Sequence, residues 1–205
     1  MALVDGLDEQ KLLERVLESA KPAVPEECRH LNWLLASPFR YGKYPRGSRF
    51  RRPGNSRGVF YGSEEATTAV AEMAHYRALF WRESPEAEKP KSFGQYTAFS
   101  VGVGSEVTFN LAASPLDRDQ TIWTDPDDYS GCQLLADLAR TRGVEIIRYV
   151  SIRDPEARRN AALLTCSAFG DHQPGDRQTW HIRVTDTGAE AICEYPDKRL
   201  SFPFS

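Results

Sequence analysis

Apolar positions along the chain change period several times, and each change marks an element. Between Asp8 and Ala20, Leu12, Leu13, Val16 and Leu17 recur at helical spacing among charged residues, and the run stops at "KPAVP". This pattern predicts an amphipathic helix. "HLNWLLAS" is a second, short apolar segment that runs into Pro38. From Phe39 to Asn55, Gly, Pro and Arg break any period, which predicts irregular chain with short extended pieces. "GVFYG" reads as a short strand bounded by glycines. Ser63 then offers an N-cap, with Glu64 and Glu65 placed for the first turn of a helix. That helix carries Ala66, Val70, Met73, Arg77 and Phe80 along one face and is expected to end at the polar loop "WRESPEAEKP".

The second half is richer in β-branched and aromatic residues. "SFGQYTAFSVGVGSEVTFNLAAS" predicts two strands with a turn at "GVGSE". A loop, "PLDRDQTIWTDPDD", leads to the helical pattern "YSGCQLLADLARTRG" with a glycine stop. "VEIIRYVS" predicts a strand, and "DPEARRNAALL" begins with a helix-start signal but is short. "TWHIRVTDTGAEAICEYP" predicts a hairpin turning at Asp186–Gly188, and "LSFPFS" a further edge. The sum is an α+β chain with a mostly antiparallel or mixed sheet and flanking helices. No repeat or linker divides residues 1–205, so a single domain is expected, with residues 1–37 as a helical N-terminal extension.

Composition changes this picture little. The 205 residues carry a net charge of −3 and are 40% hydrophobic, which fits a folded globular protein. The acidic total gives no electrostatic case for nucleic-acid binding. The opening "MALVDGLDEQ" has no cationic leader, and no apolar run approaches the roughly 18 residues of a membrane span. A soluble, cytoplasmic protein is expected. Cys28, Cys132, Cys166 and Cys193 form no CxxC and are read as reduced thiols. Cys28 and His30 lack a second pair to complete a zinc site, so no metal is expected.

Charge is nevertheless uneven. Arg40, Lys43, Arg46, Arg49, Arg51, Arg52 and Arg57 crowd one loop-rich stretch with no acid until Glu64. Arginine's planar fork suits phosphate oxygens, although a solvated basic face balancing acids elsewhere is an equally ordinary reading. Glu72 falls on the flank of its helix's apolar stripe, not opposite it, with small neighbours Ala69 and Ala71 that leave room for a ligand. Tyr61 ends the preceding strand. "GVG" at 102–104 has the wrong spacing and context for a dinucleotide fingerprint, and no P-loop, nucleophile elbow or HExxH is present. His75 and His181 have no partner in sequence.

Taken in order, "GSRF", "GVFYGS", "ATTAVAE" and "IRYVSIRDPEARRNAALL" resemble the RES domain family, named for an Arg, a Glu and a Ser. The resemblance covers residues 39–164 and places the family's arginine at Arg49, its tyrosine at Tyr61, its glutamate at Glu72 and its serine at Ser151. The segment after Arg49 departs from the family's Trp-Asn, and the spacing to Tyr61 is longer than usual, so Arg51 and Arg52 stay as alternatives. What the resemblance implies is a fold similar to ADP-ribosyltransferases and the consumption of NAD as a substrate, with no resident cofactor. It implies cleavage to nicotinamide, with ADP-ribose passing to water or inorganic phosphate. Arg49 would hold the pyrophosphate, Tyr61 would stack on the nicotinamide, Glu72 would stabilise the ribosyl cation and Ser151 would hydrogen-bond the substrate. Arg46, Arg51 and Arg52 would serve a phosphate co-substrate. An Xre-type helix-turn-helix antitoxin as partner, and a homodimer, are further implications. Protein mono-ADP-ribosylation and a non-catalytic nucleotide-binding module are the alternative readings.

Overall fold

The computed structural model describes residues 6–42, 45–54, 57–84, 86 and 92–203. Lys43, Asn55 and half of the loop expected over 81–90 lie outside them. Five α-helices are described: α1 (Leu7–Ala20), α2 (Trp33–Arg40), α3 (Ala66–Glu83), α4 (Gln120–Trp123) and α5 (Ser130–Thr141). The strands are β1 (Phe60–Ser63), β2 (Gly94–Phe99), β3 (Thr108–Asn110), β4 (Ile146–Val150), β5 (Arg159–Leu163), β6 (Arg177–Val184), β7 (Gly188–Cys193) and β8 (Lys198–Pro203).

The α+β class holds, but the strands form two sheets instead of one. The first has the order β1-β5-β4-β3, with β3 parallel to β4 and the other pairs antiparallel. The second, β2-β6-β7-β8, is antiparallel throughout. The two strands expected around "GVGSE" therefore do not pair with each other. The segment between them crosses from one sheet to the other, anchored where Val103 bridges Phe169 and Asp171 accepts the Gly102 N–H at 2.6 Å.

Alternation along the strands gives the first sheet two apolar faces. Ile147, Tyr149 and Ala162 face a core closed by α5 and the 48–52 loop, with Phe50, Leu111, Trp123, Cys132 and Ala136. Ile146 and Leu163 face the opposite core, with Leu31, Leu35, Phe169 and a Cys28–Cys166 disulfide whose Cα atoms are 5.3 Å apart. That bridge corrects the expectation of four reduced thiols: 138 residues separate the two cysteines in sequence, and only the fold brings them together. Cys132 and Cys193 are free and buried. Gly58 lets the chain entering β1 pass the end of α2, because a Cβ there would lie 2.1 Å from the Pro38 carbonyl oxygen.

Three local expectations are revised. Ser63 is the last residue of β1, and the N-cap of α3 is Glu65, with no side-chain cap. The buried face of α3 is Thr67, Thr68, Val70, Ala71, Ala74 and Ala78, rotated by about one residue step (~100°) from the expected stripe. Met73 and Phe80 are exposed, because small residues let the helix lie close on the second sheet, against Trp180, Ile182, Ala189 and Ala191. The Asp-Pro segment does not start a helix. Ala157, with φ at 51°, ends the turn, and the chain returns as β5 antiparallel to β4. The helix with a glycine stop is α5, and Gly143 has φ +70° just beyond it. The hairpin through Asp186–Gly188 is β6–β7. No described helix is long and apolar enough to cross a membrane.

Candidate active site

Strand register places a set of polar side chains on one face. Tyr61 lies opposite Ala162, which lies opposite Ile147; Ser63 lies opposite Asn160, which lies opposite Tyr149. Directly paired residues point the same way, so Tyr61, Ser63, Asn160 and Tyr149 share a face, and Ser151, one residue beyond β4, continues that alternation. Helix α3 brings Glu72 to the same place. Its small-residue face is taken by the second sheet, which leaves the flank bearing Thr68 and Glu72, one turn apart, toward the end of β4.

Glu72 Oε1 accepts two hydrogen bonds, from Ser151 Oγ at 2.6 Å and from Asn160 Nδ2 at 2.7 Å. Ser63 Oγ donates to Asn160 Oδ1 at 2.7 Å, which fixes the amide's orientation with its NH2 toward Glu72. Ser151 Oγ accepts the backbone N–H groups of Arg153 and Asp154 at 3.3 and 3.1 Å. With both lone pairs occupied, its one proton is committed to Glu72, so Ser151 orients the carboxylate and is not an activated nucleophile. Glu72 Oε2 takes no hydrogen bond from the described residues. Tyr149, buried against Phe50 with ring centroids 4.9 Å apart, is within electrostatic reach of Glu72, Tyr61 and Arg49. Burial, reinforced by the negative charge of Glu72, keeps its phenol well above the usual tyrosine range.

Arg49 is held from three sides. Its Nη1 donates to the Trp123 carbonyl at 2.8 Å, its guanidinium lies 4.4 Å over the Tyr129 ring, and its backbone belongs to a loop pinned by Tyr61. The Tyr61 hydroxyl accepts the Phe50 N–H at 3.0 Å and sits 2.8 Å from Ser48 Oγ. Burial of that hydroxyl pushes Tyr61 up to about 12, while the residue as a whole is 38% exposed. From α5, Gln133 Nε2 donates to the carbonyls of Ser48 and Arg51 at 3.1 and 3.3 Å, closing the loop from the other side.

The remaining candidate arginines point elsewhere. Arg51 is buried and donates to the carbonyls of Tyr41 and Gly42 at the end of α2. Arg52 pairs with Asp137 of α5 at 2.5 Å, and Arg46 pairs with Glu83 of α3. The structure thus brings Glu72 and Ser151 into contact, puts Arg49 and Tyr61 within electrostatic reach of Tyr149, and directs Arg46, Arg51 and Arg52 outward or into the loop. Asn160 is the residue that sequence reasoning missed. Its signal was an amide inside "RNAALL", a strand otherwise apolar at its buried positions. Among the described residues, no three His, Cys, Asp or Glu side chains are grouped to hold a metal ion.

The model of one protein family, the RES domain, matches residues 24–185. The chain belongs to the RES domain family. The match runs beyond residues 39–164 in both directions, taking in all of α2 and all of β6. RES domains are associated with enzymatic activity on NAD. No curated protein matches the chain.

Proposed function

We propose that this RES domain cleaves NAD between nicotinamide and ribose and passes ADP-ribose to water or inorganic phosphate. The observation that carries the reading is the state of Glu72: Oε1 is fixed by two neutral donors, and Oε2 is left for a ligand. As the glycosidic bond breaks, positive charge develops on the ribose, as in glycoside hydrolysis. A carboxylate held in place beforehand stabilises that charge without reorganising. Ser151 and Asn160 hold it from the protein side, and Oε2 is available to a ribose hydroxyl or the anomeric centre. Arg49 supplies a cation for the pyrophosphate. The open ring of Tyr61 supplies a stacking surface for the nicotinamide, whose departure as a neutral base needs no protonation.

The test is NAD loss by purified protein, with and without inorganic phosphate, products separated by chromatography, beside Glu72→Gln. Nicotinamide should appear, and the variant should lose about 100-fold or more in rate, the ~3 kcal/mol typical of removing a transition-state charge stabiliser. Intact NAD in both buffers would sink the reading; radiolabel passing from NAD to a protein band would replace it with protein ADP-ribosylation. The family resemblance also supports a toxin role with an Xre-type helix-turn-helix antitoxin. That extension predicts growth arrest on induction, relieved by Glu72→Gln.

A further inference from the structure

Glu72 is one corner of a closed ring, and the other corner on α3 is Thr68. Thr68 is fully buried one turn earlier on α3, and its Oγ1 donates to Asp154 Oδ2 at 2.6 Å. Asp154 lies in the turn that follows β4, and its own N–H donates to Ser151 Oγ, which donates to Glu72. The path Thr68–Asp154–Ser151–Glu72 therefore leaves α3 and returns to it four residues on. Two rungs, one turn apart, tie one helix flank to one tight turn.

The Asp154 corner is saturated. Oδ1 accepts the Glu156 N–H at 3.0 Å and Arg158 Nη2 at 2.9 Å; Oδ2 accepts Thr68 Oγ1 and Arg158 Nε at 2.7 Å. All four lone-pair directions of a carboxylate with no exposed side-chain surface are used. A fully satisfied buried charge of this kind is rigid, because moving any one partner strands another. Ala157 at φ 51° closes the same turn, a conformation a non-glycine residue keeps only where its surroundings hold it.

We propose that Thr68 and Asp154 are positioning residues of the active site: they set the turn whose serine aims Glu72, without themselves touching substrate. This rests on the NAD-cleavage reading for its activity readout. Without the Thr68 hydroxyl the turn loses its second rung on α3, and Ser151 is held to Glu72 by a single bond that can rotate.

Thr68→Val keeps the shape and removes the donor; Thr68→Ser keeps the donor. In Thr68→Val, kcat for nicotinamide release should fall roughly 10- to 100-fold with KM for NAD within about threefold, as expected when a reacting group is misaimed and binding is not lost. Thr68→Ser should recover most of kcat. A merely structural threonine would lower the melting temperature and leave kcat of the folded fraction alone, and that outcome overturns the proposal. Amide hydrogen exchange provides an arm independent of activity, and its wild-type half does not depend on a variant's folding. In wild-type protein the N–H groups of Arg153 and Asp154 should exchange as slowly as those of α3. In Thr68→Val they should exchange about tenfold faster while β6 and β7 are unchanged. Fast exchange at both amides in wild-type protein rejects the ring. If wild-type protein leaves NAD intact but shows the exchange pattern, the NAD reading fails and the ring stands.

Discussion

Asn160 and Arg49 do different physical work, and their substitutions should separate in kinetics. Asn160 touches Glu72 through one charge-assisted hydrogen bond and meets Ser63 on its other side. Such a bond is worth about 1.5–3 kcal/mol. Asn160→Ala should therefore lower kcat roughly 10- to 100-fold with little change in KM, because the loss falls on a carboxylate that acts in the transition state. Arg49 instead offers a planar cation held by the Tyr129 ring and the Trp123 carbonyl. Arg49→Lys keeps the charge but cannot maintain that stack and donate in the plane at once. It should raise KM for NAD about tenfold, with a smaller effect on kcat. Steady-state kinetics of the two variants decide the assignment: if Arg49→Lys lowers kcat alone, Arg49 serves the reacting centre and not the pyrophosphate.

At the level of elements, a disulfide joins the two short 3-10 turns at Glu26–Cys28 and Cys166–Ala168, locking the segment before α2 to the chain just after β5. Since β5 carries Asn160, this bridge secures the back of the sheet whose front bears the site. Cys28→Ser with Cys166→Ser should lower unfolding stability by about 2–5 kcal/mol, and reductant should do the same to wild-type protein. Denaturant midpoints that coincide with and without reductant would show that the bridge does not contribute. The bridge also marks where sequence reading stops. Long periodic segments such as α1, α5 and β4 were legible because one residue's period reports one element's face. The place of Glu72 on the flank of α3 was legible from the helical period alone. What pairs across sequence was not. The division into two sheets, the Cys28–Cys166 contact and the turn from Ser151 to Arg158 depend on partners far along the chain. The burial of α3 was misjudged because Met73 and Phe80 outrank Thr and Ala in hydrophobicity, whereas close approach of a helix to a sheet selects small side chains. The helix signal at Asp154 gave only its first step: the carboxylate accepts the Glu156 N–H, but Ala157 then turns to positive φ and the chain returns as β5.

For the whole molecule, stability should fall with acid in two separable windows. His75, on α3 three residues past Glu72, is half-buried, and burial, reinforced by Arg153 and Arg82, pulls it down to about 4 from 6.5. Its neutral form is the one the fold accommodates. As pH drops from about 6.5 to about 4 the unfolded chain takes up a proton that the folded chain refuses, so stability declines through that window and levels below it. Asp154 behaves in the next window down. Arg158, with help from Thr68, holds it at about 2 against 3.8, so its contribution is complete above about pH 4 and is lost as pH falls toward 2. The lower window is shared, because Glu18, Asp125, Asp128 and Glu145 are also held low by hydrogen bonds. The upper window is the one that a single substitution can isolate. His75→Gln removes the titrating group while keeping an amide of similar reach. Chemical denaturation at pH 7, 6, 5 and 4 should show wild-type stability falling by on the order of 1–3 kcal/mol and the variant's curve flatter by that amount. Parallel curves for the two proteins would mean that His75 opens to solvent and protonates in the native state, which would place an imidazolium one turn from Glu72.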